Sequence, residues 1–304
     1  MSRRDTGADP TIIGEVAAPP FVRLPDPLQL FIDRALRFRA LAVGHAMGPY
    51  LELLSGLTEL QYRMQDGLPE PDMPSAAVLA RAHAHAMPPL DREGFVGDAA
   101  FEATFSVFKL AAGELVQPPA GREALARLDA ANAGERRQMQ NAVLIGSIPA
   151  DQVAEHIFVA AALQVHFARM ASRLDAKALV PVGDGACPSC GSPPVSSMVV
   201  GWQGAHGTRF CACGICGTLW HHVRIKCVLC GSTKGIGYKE IEGEGGAIKA
   251  ETCDACHSYV KVLYQVRKAE LEPVADDVAS LGLDILLGSG DYRRGGYNPF
   301  LLGY

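Results

Sequence analysis

Nine cysteines lie between Cys187 and Cys256, and eight of them form four C-x-x-C pairs at 187/190, 213/216, 227/230 and 253/256. Twenty-two residues separate the first two pairs, twenty-two separate the last two, and each paired cysteine of the first half recurs 40 positions later. The block is two copies of C-x2-C-x22-C-x2-C, and Gly191-Ser192 returns as Gly231-Ser232. Equal offsets at four positions mark a duplicated module. A C-x-x-C turn aims two thiolates at one point, and two such turns supply the four soft ligands of a tetrahedral ion. A glycine after the second cysteine tolerates the backbone angle that the turn requires.

Two short hairpins closing on one ion form a zinc-ribbon or rubredoxin-like module. The repeat pairs Cys187 and Cys190 with Cys213 and Cys216, and Cys227 and Cys230 with Cys253 and Cys256; a crossed pairing stays open at this stage. Four thiolates suit iron as well as zinc. Disulfides are disfavoured because Arg3-Arg4 precede no apolar export segment. A thioredoxin-like motif would need a βαβ context, and the spacings fit neither ferredoxin pattern. Cys211 falls outside the pairs and aligns with Glu251, which reads as a free thiol beside the first site. His83 and His85 diverge on a helix, and His221-His222 on a strand. His206 and His257 read as surface residues.

The elements that must hold these turns follow from pattern. The chain has 304 residues, 48% hydrophobic and 20% charged, with a net charge of −5. That is globular composition with room for about two domains. The longest apolar run, Ile157–Val165, is interrupted by Gln164 and is too short to cross a bilayer. A soluble, cytoplasmic protein without membrane insertion is expected.

Residues 1–20 read as a flexible lead-in and 21–180 as an all-α domain. Asp26-Pro27 is a helix start, followed by a stripe of Leu28, Phe31, Ile32, Ala35 and Phe38. Leu53, Leu57, Leu60 and Met64 mark a second helix. Asp98 caps a third stretch with Phe101, Phe105 and Phe108. A long helix after Asp151 carries Leu163, Phe167, Met170 and Leu174. Two tandem ribbons, 181–226 and 227–270, follow with short antiparallel hairpins. β-like runs stand at 197–200, 219–225, 238–241 and 259–266. A C-terminal helix and tail occupy 271–304. The expected class is α+β.

Between 187 and 256 there are six Lys and Arg against five acids, and eight thiolates around two divalent ions make the block net negative. That is a poor footprint for phosphate, so no nucleic-acid partner is expected. Arg209, Trp220, Arg224 and Tyr259 are of types enriched in protein-binding hot spots, with packing under the ribbons as the equal alternative for the aromatics. No catalytic motif is evident, and a non-enzyme is expected.

The chain resembles the FdhE family of formate dehydrogenase accessory proteins from about Phe21 to Leu302. The likeness lies in LPDPLQLFIDRALRFRALAVGHAMGPYLELLSGLTELQ, VAAALQVHFARMASRL, RFCACGICGTLWHHVRIKC, ETCDACHSYVKVLYQVRK and LEPVADDVASLGLDILLGSGDYRRGGYNPFLL. Cys211 is additional to the family pattern. The resemblance implies a cytoplasmic assembly factor that contacts the catalytic subunit of respiratory formate dehydrogenase before export. It also implies two mononuclear four-cysteine ions at the eight paired cysteines, iron as first choice and zinc second. A rubredoxin-like redox role toward the same client is the alternative, and a nucleic-acid-binding ribbon a more distant one. A homo-oligomer is left open.

Overall fold

The computed structural model describes residues 19–115 and 118–301, so all but the end of the expected lead-in lies outside the described residues. Helix α1 (Pro27–Ala42) begins at Asp26, whose carboxylate accepts from the Leu28 and Gln29 N–H groups. Its buried stripe is narrower than expected: Phe31, Ala35 and Phe38 are covered, but Leu28 is exposed. Helices α2 (Gly48–Arg63), α3 (Ala76–Ala84) and α4 (Ala99–Gly113) follow, then α5 (Pro119–Ala130), α6 (Ala133–Ile145) and α7 (Val153–Ala171). Phe101, Phe105 and Phe108 of α4 all enter the core. In α6, Asn132 and Glu135 form a reciprocal capping box, and Gly146 at φ 73° ends the helix.

Sixteen of the nineteen residues of α7 are buried, so this helix has no solvent face and runs through the middle of its neighbours. Glu155, His156, Gln164 and His166 are its buried polar residues, and each has a specific partner. His166 Nε2 lies 3.4 Å from Asp98 Oδ2, its ring set among Phe95, Phe101 and Phe167. Gln164 reaches out of the helical region altogether.

The strands of the C-terminal half join one from the N-terminal region in a single sheet. Strands β1 (Val22–Arg23), β2 (Pro194–Val199), β3 (Arg209–Cys213) and β4 (Leu219–His221) belong to its first part. Strands β5 (Ile236–Lys239), β6 (Ile248–Cys253) and β7 (Ser258–Tyr264) form the second, and β8 (Arg293–Arg294) lies beside β7. The order is β1-β4-β3-β2-β7-β6-β5. Each repeat is a three-stranded antiparallel meander, and the two join through a parallel β2–β7 pair. With the 40-residue offset, β2 corresponds to β5, β3 to β6 and β4 to β7. The second copy therefore continues the sheet in the same direction as the first.

The strand expectations need correction. The run expected over 219–225 pairs only to His221, while β3 and β6 carried no recognised signal. Cysteine, alanine, lysine and glutamate dilute the β-branched pattern in RFCAC and IKAETC, and flanking strands decide their state. The expected C-terminal helix is two, α8 (Ala275–Ala279) and α9 (Leu281–Gly288), divided at Ser280. Lys261 Nζ, entirely buried, donates to the freed carbonyls of Asp277 (2.8 Å) and Ser280 (3.1 Å) at the break.

Buried ion pairs tie the C-terminal segment to both layers. Arg34 Nε donates to Glu272 at 3.0 Å, and Arg37 grips Asp276 with two bonds of 2.8 and 2.6 Å, docking α1 against α8. No helix among the described residues is long and apolar enough to cross a membrane.

Candidate metal centres

The first quartet is assembled by the turn before β2 and the turn between β3 and β4. Cys187 Sγ lies 3.6 Å from Cys216 Sγ, and Cys190 Sγ 3.5 Å from Cys213 Sγ. In the second quartet Cys227 and Cys256 are 3.8 Å apart, and Cys230 and Cys253 3.7 Å. All four sulfurs of each set lie within 4.8 Å of one another. Disulfide bonds of about 2.05 Å are far shorter. A tetrahedral ion with metal–sulfur bonds of about 2.3 Å separates its ligands by about 3.8 Å. The two four-cysteine groups therefore fit one metal ion each, in the sequential grouping rather than the crossed one.

The turns repeat in detail. The residue after each second cysteine is left-handed: Gly191 (φ 75°), Gly217 (75°), Gly231 (70°) and, in the fourth turn, His257 (49°). A Cβ at Gly217 would meet Leu30 of α1 at 2.5 Å, whereas His257 is exposed and has room for a side chain. His206 is exposed too, as expected.

Without a cation, four clustered sulfurs cannot all ionise. Burial pushes the Cys187 and Cys190 thiols up, and does the same at Cys227 and Cys256. One thiol in each set moves the other way. Burial also pushes up Cys213 and Cys253, but hydrogen bonds hold both below the ordinary thiol value. At Cys213 these come from the neighbouring sulfurs and the Cys216 N–H; at Cys253 the N–H groups of Cys256 and Ala255 face the sulfur. Cys213 and Cys253 are repeat equivalents, and in both modules the N–H groups of the turn face this third sulfur.

The surroundings of the two quartets differ. All four sulfur residues of the first are buried, within the same apolar cluster as the helical core. Gln61 of α2 donates to Gln164 Oε1 at 2.9 Å, and Gln164 Nε2 donates to the Gly214 carbonyl inside the Cys213–Cys216 turn at 2.7 Å. Thr218 Oγ1 sits 3.2 Å from Cys216 Sγ and donates to Ser189 Oγ. In the second quartet Cys230 is exposed and Cys256 half-buried. After loading with zinc, a chelator is expected to remove the second ion at least about tenfold faster than the first. Absorbance of a zinc-sensitive dye against time checks this; equal release from both sites would contradict the difference in cover.

Cys211 belongs to neither quartet. Its thiol is fully buried and pushed up to about 12 by that burial, which leaves it inert. Its repeat equivalent, Glu251, has a distinct role. The guanidinium of Arg209 donates to both Glu251 oxygens (2.8 and 2.9 Å) and to Ser197 Oγ (3.0 Å), and Tyr238 OH donates to Glu251 at 2.9 Å. This pair links β3 of the first module to β6 of the second. No sequence signal marked Glu251 except its alignment with the unpaired cysteine.

Three of the four residues expected to contact a partner lie inside the molecule. Arg209 is 1% exposed and fully engaged. Trp220 packs in the main core opposite Val22 of β1. Tyr259 donates to Asp284 Oδ1 at 2.8 Å, and burial pushes its phenol up. These three serve the framework: Arg209 is held by the second module, Tyr259 by the C-terminal segment, and Trp220 by the main core beside β1. Arg224 alone of the set is exposed. His222 also turns inward, its Nε2 3.1 Å from the Lys226 carbonyl, and burial pushes its imidazole down to about 4.

Comparison with known proteins covers almost the whole chain. Residues 19–184 match the family model described as FdhE, N-terminal; residues 186–224 match FdhE, central domain; and residues 225–301 match FdhE, C-terminal domain. The chain is 45% identical to the protein FdhE homolog of Rhizobium meliloti (strain 1021), over 100% of both chains. It is 36% identical to the homolog from Edwardsiella ictaluri (strain 93-146), over 91% of this chain and 90% of that one. The crystal structure of the FdhE protein from Pseudomonas aeruginosa is similar, with a TM-score of 0.83 and 34% identity, covering 94% of this chain and 99% of the other.

Proposed function

This chain belongs to the FdhE family, and from that premise we propose that it is an assembly factor that binds the catalytic subunit of formate dehydrogenase in the cytoplasm before export. Family membership supports a role in formate dehydrogenase maturation. The observation that carries the reading is the pair of sulfur quartets held in one continuous sheet across a full-length family match. Cys187, Cys190, Cys213 and Cys216 would hold one ion and Cys227, Cys230, Cys253 and Cys256 the other, with iron as first choice and zinc second. A bound ion would neutralise clustered thiolates and hold the ends of the meanders together; iron would add one-electron chemistry. The chain's own residues do the rest: Arg209 and Glu251 lock the modules to each other, and Gln164 fixes the first quartet to α7. In this reading the protein holds its client and catalyses no reaction itself.

A strain lacking the chain should lose formate dehydrogenase activity, and the catalytic subunit should co-purify with the tagged protein. Intact activity in that strain would overturn the reading. The exposure of Cys230 favours one alternative, a redox role in which the second centre exchanges electrons with the client. Metal content and an absorption spectrum decide between them: ferric iron in four sulfurs is coloured, and a chain carrying only zinc would remove the redox alternative.

A further inference from the structure

Strand β5 closes one end of the sheet and pairs only with β6 among the described residues. The Gly235 carbonyl accepts from Asp254 N–H at 2.9 Å, which sets the alternation of the ladder. Ile236 and Tyr238 therefore turn their backbone N–H and C=O groups away from β6. No described backbone segment bonds to that side. An open edge is a template for another strand, and proteins commonly cover or blunt it.

The surroundings of this edge restrict what fits. The connection between the two modules, Val223-Arg224-Ile225, approaches β5 over the face that carries Tyr238, whose OH donates to the Arg224 carbonyl at 3.3 Å and to Glu251 at 2.9 Å. Val223 is 59% exposed and Ile225 70%, in a position that the described residues leave open. Arg224, Lys234 and Lys239 are exposed and make no ion pair among the described residues. Neighbouring cations are paired: Lys226 with Asp184 and Lys249 with Glu240, both at 2.8 Å. The edge thus combines unpaired backbone groups, two bare aliphatic side chains and three free positive charges. Cys230, the exposed ligand of the second quartet, lies five residues beyond Ile225.

We propose that the outer edge of β5, with Val223, Arg224 and Ile225, is the surface that captures the client, by accepting an extended acidic segment of its polypeptide as an additional strand. The inference rests on the assembly-factor reading and deepens it. Backbone hydrogen bonds at Ile236 and Tyr238 would supply affinity, and the aliphatic pair and the cations would select apolar and acidic side chains. A nucleic acid would meet the cations but leave the strand groups and the aliphatic pair unused. A second copy of the chain would bring like charges together.

The test uses the full-length metal-loaded chain and the purified formate dehydrogenase catalytic subunit. Replacing Val223→Ser, Arg224→Glu, Ile225→Ser and Lys239→Glu together should weaken binding at least tenfold, with metal content and unfolding midpoint as in the wild type. The pair Lys234→Glu and Lys239→Glu, which changes charge alone, should weaken it at least threefold, and the wild-type affinity should fall as salt rises. Arg137→Glu, an exposed cation on α6, should bind as the wild type. Undiminished binding by both edge variants would overturn the proposal while leaving the assembly reading intact. No binding by the wild type would overturn that reading, and the proposal with it. Edge variants that lose only self-association, or only binding to a single-stranded oligonucleotide, would assign the edge to another partner and equally overturn the proposal.

Discussion

Replacing Cys187 and Cys190 together by serine is expected to remove one metal ion per chain, leave the other in place, and abolish cooperative unfolding of the helices as well as of the first module. The first quartet lies inside the helical core, so losing its ion leaves Cys213 and Cys216 buried among Leu, Phe and Ala side chains with no cation to share. Structural zinc contributes about 10–16 kcal/mol in small zinc-finger peptides, against a typical total domain stability of about 5–15 kcal/mol. The route of the damage is specific. Gln164 holds the Gly214 carbonyl from α7, and Leu90 N–H holds the Ser189 carbonyl from the loop before α4. Cys227→Ser with Cys230→Ser makes the same chemical change at the exposed quartet. It should remove the other ion while the helical transition stays near that of the wild type. Metal content per chain and helix circular dichroism during heating check both variants. Loss of both ions from either one, or equal damage to the helices, would show that the centres are not independent.

The second large effect is expected away from the cysteines. Arg294→Met should destabilise the chain by about 3–5 kcal/mol, because removing one partner strands buried opposite charge. Asp277 is fully buried and Asp284 4% exposed, and both face Lys261 and Arg294, with Arg294 donating to Asp277 at 2.5 Å and to Asp284 at 2.6 Å. Asn298 donates to Asp277 at 2.8 Å. Lys249→Met, which breaks a partly exposed pair with Glu240, should cost less than about 1 kcal/mol. Denaturant unfolding measures the difference.

The pH dependence follows from the same cluster. Burial alone would push the Asp277 carboxyl up, yet Arg294 and Lys261 hold it below the usual carboxylate value. A depressed carboxyl contributes stability above its unfolded pKa, near pH 4, and loses it as pH falls through the lower folded value. In the Arg294→Met chain, burial opposed by Lys261 and the Asn298 amide, without the Arg294 guanidinium, should raise Asp277 instead. The stability gap to the wild type should then narrow as the medium is acidified toward pH 4. A gap that stays constant with pH would place the loss in packing rather than charge.

Much of the chemistry was legible in the chain before any fold was known. The 40-residue offset grouped the eight paired cysteines, and the grouping holds in space, because a C-x-x-C turn is local and its repeat must make the same local shape. Helix starts at Asp26 and Asp98 were legible for the same reason: a cap bonds to backbone groups two or three residues away. Gln164 stood out as a polar residue in an apolar run, but its partner, Gly214, lies 50 positions off.

What sequence alone determined here is the local part: four C-x-x-C turn geometries, their duplication, and the helical character of the first half, each set by interactions within a few residues. The tertiary structure decided the rest. It drew Arg209, Trp220 and Tyr259 inside, gave Glu251 its partner, made β3 and β6 strands, and buried one quartet while leaving the other at the surface. Those outcomes depend on which distant strand or helix lies alongside, and burial and charge pairing across the β2–β7 junction follow from that neighbour, not from the residues on either side in the chain.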